Sequence, residues 1–90
     1  MVHPCLVLYY ARNRLGINRL GITTSKKIGK AVARNRARRL IREAYRTFEP
    51  VAKTGWDFVF VARSRTTSCK MGDVCRVMGG MLRSASLMRK

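Results

Sequence analysis

Two incompatible patterns share the segment from Lys30 to Phe48. Ala37, Leu40, Ile41, Ala44, Tyr45 and Phe48 recur at spacings of three and one, which stacks them on one face of a helix. Arg34, Arg36, Arg38, Arg39, Arg42 and Arg46 fill much of the remainder, with Glu43 the single acid. A chain carrying such a helix has little freedom. The apolar stripe must lie on a surface large enough to cover it, and the arginines must stay outside. On a wheel of about 100° per residue, Arg34, Arg38, Arg42, Arg46 and Arg39 are read as a continuous arc opposite the stripe. Asn35 falls within the arc and Arg36 near its far edge. Arg34, Arg38, Arg42 and Arg46 follow one another at i, i+4, where like charges destabilise a helix.

The surface that covers this helix is found on either side of it. Leu6 to Tyr10 is a short β-branched and aromatic run that predicts a strand, and Leu20 to Thr24 predicts a second. Asn13 to Asn18 contains Gly16 and two asparagines between them, so it reads as the turn of a hairpin. Pro50 stops the helix. Trp56 to Ala62 is the clearest strand, with Phe58 and Phe60 on one face and Val59 and Val61 on the other. Thr66, Thr67 and Ser68 supply N-cap candidates for a last helix, with Asp73 in its first turn. Val74, Val77, Met78, Met81, Leu82 and Ala85 give that helix its stripe, and Gly79-Gly80 weakens it, so a bend or fraying is expected there. The order β-β-α-β-α predicts an α+β fold, a small sheet with helices packed on one face. The opposite face is left open unless an N-terminal segment covers it.

Composition narrows what such a fold can do. The chain has 90 residues, with 20 Lys or Arg against 4 Asp or Glu, a formal net charge of +16. One domain over residues 1–90 with a small core is expected, which excludes a deep multi-lobed active site. At 47% apolar residues the chain is too hydrophobic for a disordered basic tail. No apolar run approaches the roughly 18–20 residues that span a bilayer. Cys5, Cys69 and Cys75 are odd in number and lack zinc-knuckle spacing, so reduced structural thiols are expected. The N-terminus has no basic region ahead of its apolar stretch, and a cytoplasmic location is expected. His3 is the only histidine and the four acids are scattered singly, so neither a general acid–base pair nor a metal cage can be proposed. Ser25 precedes two lysines but has no identifiable base.

The charge is concentrated, and its placement is more informative than its sum. Nine basic residues lie between 25 and 46: Lys26, Lys27, Lys30 and the six arginines of the helix. A solvated helix face is the simpler reading of any charge run. A solvated face interleaves Glu with Lys or Arg, however, and this one does not. Arginine also binds phosphate through a planar fork and stacks on bases. A polyanion is the expected partner, nucleic acid ahead of an anionic membrane surface.

The run Leu20-Gly-Ile-Thr-Thr-Ser-Lys-Lys-Ile-Gly-Lys-Ala-Val-Ala-Arg-Asn-Arg-Ala-Arg-Arg-Leu-Ile-Arg-Glu-Ala44 resembles the signature of the bacterial ribonuclease P protein family. That pattern is Ser-Lys-Lys-x-Gly-x-Ala-Val-x-Arg-Asn-Arg followed by alternating basic and apolar residues. The similarity extends through Trp56–Arg63 and the last helix, nearly the whole chain. The resemblance implies a ribonuclease P protein-like fold with a left-handed β-α-β crossover, contrary to the usual hand. It implies the protein subunit of an endonuclease that removes the 5′ leader from precursor tRNA, a hydrolase whose RNA subunit and its Mg²⁺ perform the chemistry. No cofactor is expected on the chain itself. The implied partners are ribonuclease P RNA and the precursor tRNA leader, with no membrane and no obligate protein partner. Carried over by motif, Lys26, Lys27, Arg34, Asn35, Arg36, Arg38, Arg39, Arg42 and Arg46 fall in the RNA-contacting region. Tyr9 matches the aromatic position of the first strand that lines the leader cleft. No catalytic or metal-binding residue is implied.

Two departures from the family pattern stand out. Members normally begin with a basic segment and a helix whose Phe residues form the other wall of the cleft. This sequence begins at the first strand, so either the start is misplaced or the chain is a short form, and for a short form an uncovered sheet face and weaker leader binding are expected. Ala37 stands where the family has a larger aliphatic residue, which thins a core contact. The rival reading is a structural RNA-binding protein of ribosomal type with no role in processing.

Overall fold

The computed structural model describes residues 1–25 and 27–88. The elements are β1 (Val2–His3), β2 (Leu6–Arg12), β3 (Arg19–Thr24), α1 (Ala31–Phe48), β4 (Trp56–Ala62) and α2 (Met71–Ser84), with 3-10 turns at Glu49–Val51 and Ser64–Ser68. The α+β class is as expected, and α1 and β4 lie where their periodicities place them. The sheet has four strands rather than three, because Val2 and His3 pair with Val7 and Leu6. Two residues are too few to leave a periodic signal.

The sheet order is β1-β2-β4-β3, which corrects the hairpin expected between β2 and β3. β4 lies between them, antiparallel to β2 and parallel to β3. The physical reason is burial. β4 carries Phe58, Phe60 and Ala62 fully buried on one side and Val59 and Val61 half-buried on the other, so it belongs at the centre. The intervening six residues, Asn13–Asn18, step over the start of β4, a span of two strand spacings or roughly 10 Å. The asparagines fasten that crossing. The Trp56 amide donates to Asn18 Oδ1 at 3.0 Å, and the Asn13 side-chain amide donates to Asp57 at 2.8 Å.

One sheet face is covered by both helices. Leu6, Leu8, Phe58, Phe60 and Ala62 meet Ala37, Ile41, Ala44 and Tyr45 of α1 and Val74, Met78, Met81 and Leu82 of α2. The Tyr45 ring sits 6.0 Å from those of both Phe58 and Phe60, tilted against each, a favourable aromatic arrangement. After α2, Ser86 takes a left-handed φ of 57° and returns the chain, so that Leu87 is buried and its carbonyl accepts from the Lys53 amide at 2.7 Å. The three cysteines are free thiols, and burial together with the neighbouring Cys5 thiol pushes Cys69 up to about 11.

Two local expectations are corrected. Thr66, Thr67 and Ser68 do not cap α2. They lie in a separate 3-10 turn, where the fully buried Thr66 hydroxyl accepts from the Arg63 amide and donates to the Cys5 carbonyl. The first turn of α2 instead uses Asp73, whose carboxylate accepts from the Lys70 amide at 3.2 Å. Nor does Gly79-Gly80 interrupt the helix, which continues to Ser84. A Cβ at Gly79 would come within 3.0 Å of the Phe48 ring, so the glycine is what lets α1 and α2 approach. Gly80 faces open space. Gly80→Ala should therefore raise the urea midpoint, by roughly 0.5–1 kcal/mol of helix propensity. Gly79→Ala should gain less than Gly80→Ala, because the Phe48 ring must shift by a few tenths of an ångström to admit the new methyl.

Candidate nucleic-acid interface

The α1 arginines are placed by what the other face of the helix buries. Tyr45 and Ile41 are held in the core, so Asn35, Arg36, Arg39, Arg42 and Arg46 are exposed. Arg34 and Arg38 are half-buried. This corrects the arc drawn from the sequence: on the same wheel Arg34 falls between Ile41 and Tyr45, about 20° from each and so within the stripe, and Arg38 lies about 20° beyond Tyr45. Val32, Asn35, Arg36 and Arg39 line a shallow groove of about 360 Å³ on the outer side of the helix.

Little on the chain neutralises this array. Glu43 approaches Arg46 at 4.0 Å, and Arg36 donates to the Thr67 carbonyl at 3.4 Å. Among the described residues no carboxylate pairs with Arg34, Arg38, Arg39 or Arg42. The helix therefore holds i, i+4 arginines without internal compensation, the arrangement expected of a surface that meets phosphate. At its N-terminus Lys27 and Lys30 border a hollow of about 220 Å³, closed by Ala33, Ser64 and Thr67. Lys26, the other lysine of the motif, lies outside the described residues.

Tyr9 is not on this surface. The strand alternation places Val7, Tyr9 and Ala11 of β2 on the sheet face opposite the helices, next to Val59 and Val61 of β4 and Gly21 and Thr23 of β3. Tyr9 is 62% exposed there, and with Tyr10, Ala11, Asp57 and Val59 it borders a shallow hollow of about 250 Å³. The structure thus divides the predicted residues between two surfaces, an arginine helix and an open sheet face, set back to back. Among the described residues no helix packs on that sheet face.

A model of the ribonuclease P family matches residues 1–86. The chain belongs to that family. It is 43% identical over 83 residues to the ribonuclease P protein component of Clostridium botulinum, covering 91% of this chain and 75% of that protein. The Dehalococcoides mccartyi ribonuclease P protein component is 38% identical over 89 residues, with 99% and 72% covered. The fold is similar to that of the Staphylococcus aureus RNase P protein, with a TM-score of 0.83 at 27% identity over 98% of this chain and 81% of that one. The Thermotoga maritima RNase P protein gives 0.81 at 26% identity, over 93% and 80%. The four-stranded sheet and two helices of the chain are those of the ribonuclease P protein fold.

The open face ends in an ion pair that sequence reasoning missed, because its partners lie 38 residues apart. Arg19 binds Asp57 through two parallel hydrogen bonds, Nε to Oδ1 at 2.8 Å and Nη2 to Oδ2 at 2.7 Å. Those bonds, with that from Asn13, hold the Asp57 carboxyl at about 2, below its ordinary 3.8, and raise Arg19. A depressed carboxyl favours the folded state once ionised, so the benefit is complete above pH 3.8 and is lost as pH falls towards 2. Asp57→Asn should lower the thermal midpoint near neutrality, and the gap between the two proteins should close in that acid window. A gap independent of pH would show that the carboxylate charge is not what the site uses.

Proposed function

We propose that this chain is the RNA-binding protein subunit of ribonuclease P, assisting the catalytic RNA in removing the 5′ leader from precursor tRNA. The observation that carries the reading is the uncompensated arginine surface of α1 on a chain of this family. Lys26, Lys27, Arg34, Asn35, Arg36, Arg38, Arg39, Arg42 and Arg46 would contact ribonuclease P RNA. Tyr9 and the apolar strip beside it would hold the unpaired leader, since single strands are bound by stacking aromatics within a basic setting. The helix lowers the repulsion between two RNAs, and the sheet face constrains the path of the leader.

The reacting groups would belong to the RNA and its Mg²⁺. This chain's donor set does not suit a Mg²⁺ cage of its own. Asp57 is engaged by Arg19 and Asn13, Asp73 closes the first turn of α2, Glu43 leans towards Arg46, and Glu49 stands apart from these in the turn after α1. Among the described residues no three His, Cys, Asp or Glu side chains converge on one point. Among these residues no helix is long and apolar enough to cross a membrane. A cytoplasmic site of action belongs to the proposal because a bacterial tRNA-processing subunit would work where its RNA substrates are made.

The test is reconstitution with a bacterial ribonuclease P RNA at low Mg²⁺, scoring precursor tRNA cleavage. The chain should stimulate cleavage. Arg39→Ala with Arg42→Ala should reduce that stimulation at least tenfold, because each charge-assisted contact is worth about 1.5–3 kcal/mol. Both side chains are exposed, so circular dichroism should not change. If about 6–8 phosphates are neutralised, log K should fall against log salt with a slope near −4 to −6 for single strands. Tight binding with no effect on rate would favour the structural RNA-binding reading instead.

A further inference from the structure

A second aromatic cluster lies on the helix side of the sheet, away from Tyr9. Tyr10 and Trp56 stand 6.0 Å apart between ring centroids, on the side of β2 and β4 that carries Leu8 and Phe58. The core does not close over them. Tyr10 remains 40% exposed and Trp56 half-buried, and the exposed Arg12 holds its guanidinium 5.4 Å from the centre of the Trp56 ring. Arg12 and Trp56 are direct cross-strand partners, so backbone pairing fixes this approach. A planar cation over an indole, with a tyrosine beside it, offers stacking surface to any flat π system.

The position of the cluster matters as much as its composition. In a β-α-β crossover between parallel neighbours the helix runs back along the strands, so the C-terminal end of α1 lies towards the start of β4. Trp56 is the first residue of β4, and Tyr45 and Arg46 are near the end of α1. The cluster therefore lies at the same end of the molecule as the last turn of α1, which carries Arg46. Of the acids towards this end, Asp57 projects to the other face and is engaged by Arg19, and Glu49 follows α1 beside Tyr45, against the cations Arg12 and Arg46.

From this geometry we infer that Tyr10, Arg12 and Trp56 form a second stacking site, which takes an unpaired base of RNA lying along α1. The inference rests on the RNA-binding reading and adds a contact to it. The base stacks on the outer side of the Arg12 guanidinium or on the exposed part of the Trp56–Tyr10 pair. The phosphates on its α1 side run towards Arg46 and Arg42.

Trp56 is the only tryptophan, so the site reports on itself. A single-stranded oligoribonucleotide carrying a terminal dye is titrated into the full chain, and dye anisotropy and Trp56 emission are followed together. Binding should quench Trp56 and protect it from acrylamide. Arg12→Ala should weaken binding about tenfold, within the range for loss of one stacked base. Arg12→Lys keeps the charge but loses the plane, and it should weaken binding nearly as much. Anisotropy that rises while Trp56 emission and acrylamide access stay unchanged would overturn the stacking site and leave RNA binding standing. Full recovery by Arg12→Lys would do the same, reducing the contact to simple charge. An anisotropy that never rises would overturn the RNA-binding reading, and this inference with it. Trp56→Phe is not needed for any of these outcomes, so a folding defect at that position cannot obscure them.

Discussion

The contact between Tyr45 and the paired rings of Phe58 and Phe60 is the one on which the rest of the molecule depends. It joins the longest helix to the central strand, and the strand in turn pairs with both β2 and β3. Burial of an aromatic side chain stabilises by roughly 1.5–3 kcal/mol, so these three residues are a large share of what a core this size can supply. Their second effect is rotational. With Tyr45 and Ile41 turned inward, the arginines of α1 have only one direction left. The charged surface is a by-product of how the core is packed, and a change that rotated the helix would alter both together.

Much of this was legible in the chain itself. The extent of α1 and β4 follows from periods of 3.6 and 2 that run without interruption, and the arginine surface follows from the first of these. What periodicity cannot convey is adjacency. It assigns faces to β2 and β3 but is silent on which strand lies between them, so Asn13 and Asn18 read as hairpin residues when they are fasteners for a crossing. The half-burial of Arg34 was available from the wheel and was masked by its charge. Thr66 looked like a helix cap because its hydroxyl could serve either role, and only the tertiary neighbour, the Cys5 carbonyl, decides. By propensity alone Gly79 is a weakness in α2, and its use, admitting Phe48, is visible only with the partner helix in place. The cluster of Tyr10, Arg12 and Trp56 had no local signature, since its members come from two strands more than 40 positions apart in sequence.

The site is likewise a product of layers. A sheet covered on one face only leaves the other free, and a helix pair covering that face presents its own polar side outward. Two surfaces of opposite character result, one apolar with an exposed tyrosine and one cationic. Back-to-back placement lets each engage its own stretch of polymer without competing for the same volume. The Arg19–Asp57 pair at the end of the open face removes one positive charge from it, which leaves that face less cationic than the helix behind it.

The strand order also has a consequence for how the protein comes into being. β2 and β3 each find their hydrogen-bonding neighbour in β4, and neither pairs with the other. A chain leaving the ribosome must therefore expose its first 60 or so residues, the whole arginine segment among them, before the central strand is available. Non-local pairing of this kind is slow to form. During that interval the arginine segment, helical or not, lacks the central strand that fixes which way its side chains point. The late arrival of Trp56–Ala62 sets the moment at which that charge becomes a shaped surface.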